Sequence, residues 1–107
     1  SKTDGTMTRQ GLFTMFKDIR FGLKFMEVEP AAFTPLLLSQ KLGHGHTILG
    51  FWEKRIPGWH VGLAYGIKGS DVSYLNPDFK WGGLGTTSID HFKTAGKGNL
   101  VVAWRAW

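Results

Sequence analysis

The stretch Gly58 to Trp81, GWHVGLAYGIKGSDVSYLNPDFKW, constrains the chain most, because it reads as two strands joined by a tight turn and closed by Asn76-Pro77. Side chains alternate along a strand, so His60, Gly62, Ala64 and Gly66 share one face of the first strand, and Val61, Leu63 and Tyr65 share the other. One face is built small, which lets a helix or another backbone approach closely. Lys68-Gly69-Ser70-Asp71 turns the chain back, and Val72 to Leu75 forms the partner strand. Proline has no N–H to donate, so pairing stops after Asn76. The hairpin therefore begins with a histidine and ends with an amide in a position to meet it.

The flanking segments are helices first and strands afterwards. From Thr8 to Phe25, Leu12, Phe16, Ile19 and Leu23 recur at spacings of three and four, which predicts an amphipathic helix with Arg9, Lys17, Arg20 and Lys24 largely on its other side. Met26 to Glu29 alternates apolar and charged residues before Pro30, giving a short edge strand or extended linker. Thr34 and Pro35 start a second helix as cap and first residue; it runs to Leu42 and closes on Gly43 as a left-handed cap. Thr47 to Trp52 is the first core strand, and Pro57-Gly58 turns the chain into the hairpin. Phe79 to Gly85 reads as an aromatic, glycine-rich loop, Ser88 caps a short helix through Phe92 that Gly96 terminates, and Leu100 to Trp104 closes as a strand. The class is α+β, with N-terminal helices packed on a small, mainly antiparallel sheet.

At 107 residues the chain is one domain at most, burying about two-thirds of its unfolded surface, enough for one modest core. The polar start SKTDGTMTRQ reads as a cut edge, with residues 1–7 expected to be flexible. A net charge of +5 favours acidic partners, yet Lys54-Arg55 is the only adjacent basic pair, so nucleic acid is disfavoured. No apolar run reaches the roughly 18 residues of a membrane helix. The absence of cysteine excludes disulfides, thiolate metal sites and thiol catalysis by this chain's own residues, and leaves the compartment undetermined.

Three constellations carry chemistry. In the first, the amide oxygen of Asn76 accepts a hydrogen bond from one nitrogen of His60, which fixes the ring's tautomer and leaves the other nitrogen to take a proton. The competing reading is a surface histidine and a turn asparagine. The second is His44-x-His46 with His60 or His91 as third metal ligand; such a pair is common, Glu53 lies too far behind it, and neither a metal nor another cofactor is expected. The third is an aromatic surface. Trp52 and Trp104 fall in apolar strands and read as core, leaving Trp59 and Trp81 as walls of a cleft beside His60 and Asn76.

The successive stretches FTPLLLSQKLG, GHTILGFW, WHVGLAYG, VSYLNPDF, TSIDHF and LVVAWRA add weight to the first constellation. In this order, Thr34 to Trp104 resembles the C-terminal half of a papain-like cysteine peptidase, especially the bacteriocin-processing domains of exporters and related bacterial effector peptidases. The resemblance implies a papain-like fold, His60 as general base, Asn76 as its orienting partner, and a peptide or protein substrate. Asn76 stands where those groups have Asp, although papain itself has an amide there. The family's nucleophile is missing: no cysteine occurs, and the sixth residue after Gln10 is Phe16. The resemblance thus implies a nucleophile helix lying upstream or lost, an inactive chain unless a thiol is supplied, and an N-terminal segment or partner chain packing on Gly62, Ala64 and Gly66. A secreted bacterial effector is the localisation it suggests. The alternative is a non-catalytic binding module holding a peptide or anionic partner in the Trp59/Trp81 cleft or on a basic face.

Overall fold

The alternation between Gly58 and Leu75 becomes the middle of a six-stranded antiparallel sheet. A computed structural model describes residues 8–76, 83–93 and 96–106. Their order is helix α1 (Arg9–Lys17), strand β1 (Leu23–Val28), helix α2 (Pro35–Leu42), strands β2 (Thr47–Glu53), β3 (Gly58–Lys68), β4 (Asp71–Asn76) and β5 (Gly83–Ser88), and strand β6 (Leu100–Arg105). Short 3₁₀ helices lie at Ile19–Phe21, Pro30–Ala32 and Ile89–Phe92. The sheet order β1-β6-β2-β3-β4-β5 inserts the last strand between the first two, while β2 to β5 follow as a meander. The fold is α+β, and no helix among the described residues is long and apolar enough to cross a membrane.

Both α-helices start on threonine caps. The Thr8 hydroxyl accepts from the Gly11 N–H at 2.9 Å, and the Thr34 hydroxyl accepts from the Leu37 N–H at 3.2 Å ahead of Pro35. The first helix is shorter than its stripe predicts. It stops at Lys17, Asp18 caps a new 3₁₀ turn through the Arg20 N–H, and Gly22 adopts φ 60°, which turns Leu23 and Phe25 into a strand. That strand pairs with β6 from Leu23↔Arg105 to Val28↔Leu100, a partner that local spacing cannot announce. Gly43 also differs from expectation, since it stays right-handed at φ −61°; the left-handed residue is Gly45 at φ 114°. The predicted glycine-rich loop is in part strand β5: Gly83 to Gly85 pair with Asn76 to Tyr74, while residues 77–82, including Trp81, lie outside the described residues.

The sheet has two cores. On one face Phe33, Leu38, Ile89 and Phe92 pack over Leu49, Phe51, Ala64, Val72 and Tyr74. On the other, Leu12 and Phe16 of α1 press onto Val101, Ala103 and Trp59. A Cβ added to Gly50 would lie 3.0 Å from a Leu12 methyl, so the glycine lets α1 sit down on the sheet. The small face of β3 is covered from within the chain, and it is shorter than the alternation predicts, because a bulge between Ala64 and Gly66 sets Gly66 opposite Ser73 and on the other face from Ala64. Ala64 is fully buried in the core that contains Leu38 of α2, and the Tyr74 ring stands 3.2 Å from where a Gly62 Cβ would be.

Candidate functional site

Strand β2 sends Leu49, Phe51 and Glu53 to the same face, so its alternation carries a carboxylate to the end of a buried row. The Glu53 side chain has no exposed surface. A buried carboxylate costs several kcal/mol unless it is paired and hydrogen-bonded. Here Arg55 donates from its guanidinium to Oε1 at 2.6 Å and from its backbone N–H to Oε2 at 3.1 Å, and His91 Nε2 meets Oε1 at 3.0 Å. Burial alone is the largest influence on this carboxyl and raises its pKa. The two Arg55 hydrogen bonds and the charges of His91 and Arg55 outweigh it and hold Glu53 at about 2, so it is ionised at neutral pH. Arg55 is in turn raised above the usual guanidinium value, first by its hydrogen bond to Glu53, with Tyr74 adding a weaker hydrogen bond.

An ionised Glu53 can only accept, so His91 carries its hydrogen on Nε2, and in the neutral ring Nδ1 is the acceptor nitrogen. The His91 ring is a quarter exposed and stands edge-on to Phe51 at 5.8 Å. His60 approaches Phe51 in the same edge-to-face manner at 5.9 Å and is only 3% exposed. Tyr74 completes the group, its ring 6.4 Å from His91. Two imidazoles, a phenol, a guanidinium and a carboxylate are thus gathered at the end of one sheet face, a set that can hold and move protons.

The sequence-derived residues fall in different places. His60 lies at this end. Asn76 is the last residue of β4, with its backbone opposite Gly83, and its side chain is outside the described residues. Trp59 does not wall the same cleft. It points to the α1 side, edge-on to Trp52 at 5.9 Å and 5.2 Å from the Arg9 guanidinium, because adjacent strand residues face opposite ways. Trp81 lies outside the described residues. His44 and His46 precede β2 and lean on Trp104 and Tyr65, and no three metal-binding side chains come together among the described residues.

The pair Glu53 and His91 was not found from the sequence. They are 38 residues apart, so no local motif joins them. One signal was available: an acidic residue at the inward-facing position of an apolar strand. Set against models of protein families, curated proteins and solved structures, the chain matches none of them.

Proposed function

We propose that the chain supplies the general-base half of a papain-like cysteine peptidase site. In this reading His60 takes the proton from an attacking thiol while the Asn76 amide oxygen accepts from the other ring nitrogen and fixes its tautomer. The thiolate attacks a peptide carbonyl to form the acyl-enzyme, and the imidazolium returns the proton to the leaving amine. The thiol comes from a segment or chain outside these 107 residues, which contain no cysteine, so the chain alone is inactive.

The observation that supports the reading is a shared end of the sheet: His60 near the start of β3 and Asn76 at the end of β4, beside buried Glu53 and Tyr74 and partly exposed Arg55 and His91. A nearly dry imidazole suits the task, because low local polarity strengthens the hydrogen bonds that orient a base. The test joins the chain, in cis or in trans, to a papain-like segment bearing the glutamine and cysteine. Peptide hydrolysis should appear, be blocked by thiol alkylation and be lost in His60→Ala. A stable assembly that stays inactive, or one whose turnover falls with His91→Ala and not with His60→Ala, would refute the assignment.

A further inference from the structure

One row of side chains crosses the whole sheet on the α1 side. Register links Phe25 to Ala103, Ala103 to Ile48, Ile48 to Leu63, Leu63 to Leu75 and Leu75 to Leu84. Helix α1 covers the first part of this row: Phe25 stacks on Phe13 and Phe16, and Ala103 is fully buried. Beyond it Ile48, Leu63 and Leu75 are half-buried, and Leu84 is 74% exposed. Three adjoining hollows of about 330, 220 and 250 Å³ share Ile48 and run along this row as far as Leu75. Their walls are Met15 and Leu23, with half-exposed Phe21 at the side.

A contiguous apolar trough of this kind marks an interaction surface. Strands lie about 4.8 Å apart, so β2, β3 and β4 together span about 10 Å, the width of one α-helix. The face is already roofed by a helix on its other half, and a strand would instead pair at a sheet edge. Arg105, whose Nε donates to the His44 carbonyl at 3.0 Å, and His46 line one hollow, and no acidic side chain is among the described residues that line the three. Asp71, toward the hairpin turn, sits opposite Lys68. With a net charge of +5 on the chain, a second copy would bring like charge to this rim.

The geometry points to a docking site for an amphipathic helix with an apolar stripe and acidic flanks, lying beside α1 over β2 to β4. It does not depend on what His60 does. The stripe fills the floor of Ile48, Leu63 and Leu75, and the acidic flank faces Arg105 and His46.

The test titrates the 107-residue chain with an amidated peptide of about 15 residues, leucine at i, i+3, i+4 and i+7 and glutamate on its flanks, and with a twin carrying lysine in place of glutamate. The acidic peptide should bind, weaken by about tenfold between about 0.05 and 0.5 M salt, and exceed its lysine twin by about tenfold. Leu63→Glu and Leu75→Glu should each abolish binding while circular dichroism stays unchanged, and Leu36→Glu, on exposed α2 surface, should leave binding intact. Equal binding of the twins, no binding of the acidic peptide, or light scattering that shows a dimer dissociated by Leu63→Glu would overturn the proposal, the last by making a second copy the occupant.

Discussion

Replacing Glu53 by glutamine keeps the shape of the side chain and removes its charge from a position with no exposed surface. The carboxyl is held at about 2 against its ordinary 4.5. Each pH unit of such a drop corresponds to about 1.4 kcal/mol, so the ceiling on what the ionised form contributes to folding is about 3 kcal/mol. Arg55, the main partner, is 44% exposed, and water screening at its outer side brings the expected figure to about 1–2 kcal/mol. A pKa lowered on folding means stability that is complete above the ordinary value and lost as the pH falls from about 4.5 towards 2. Urea unfolding of wild type and Glu53→Gln, in steps from neutral pH to about pH 3, reads this directly. Wild type should lead at neutral pH, and the gap should close on acidification as the carboxyl protonates. A gap independent of pH, or a glutamine variant as stable as wild type at neutral pH, would refute the ion-pair account.

Three further substitutions probe the layers around the site. Gly50→Ala forces a methyl to within 3.0 Å of Leu12 and should cost about 1–3 kcal/mol in thermal unfolding by lifting α1 from the sheet. Phe92→Ala removes a fully buried ring that meets Phe51 at 4.9 Å and Tyr74 at 5.2 Å; a loss of about 3–5 kcal/mol is expected by chemical denaturation. Gly69→Ala meets no atom within 4 Å yet must hold φ 60°, so about 1 kcal/mol of strain should appear as a lower melting temperature.

Where local chemistry decides the structure, the sequence could be read. Thr34 and Pro35 start α2, Ser88 caps the 3₁₀ helix Ile89–Phe92 through the Asp90 N–H, and Gly69-Ser70 links β3 to β4. Where distant pairing decides, it could not. Leu23 continues a helical spacing from Leu12, but pairing with Arg105 claims it for β1, and Gly83 and Gly85 weaken the strand signal of β5 until β4 aligns them. The same holds at the site. His60 could be placed from its own strand, whereas Glu53, Arg55, Tyr74 and His91 converge only when β2, β4 and the segment after β5 meet. Trp59 neighbours His60 in sequence yet faces the other side of the sheet, since one residue along a strand reverses the face.

The central claim is that Asn76 orients His60, and imidazole nitrogen NMR tests it in the chain as it stands. In wild type the two ring nitrogens of His60 should report a single tautomer, with one nitrogen bearing hydrogen and the other accepting. In Asn76→Ala the same resonances should move towards the average of two exchanging tautomers, while those of His91, held by Glu53, stay in place. Unchanged His60 resonances in Asn76→Ala would contradict the account.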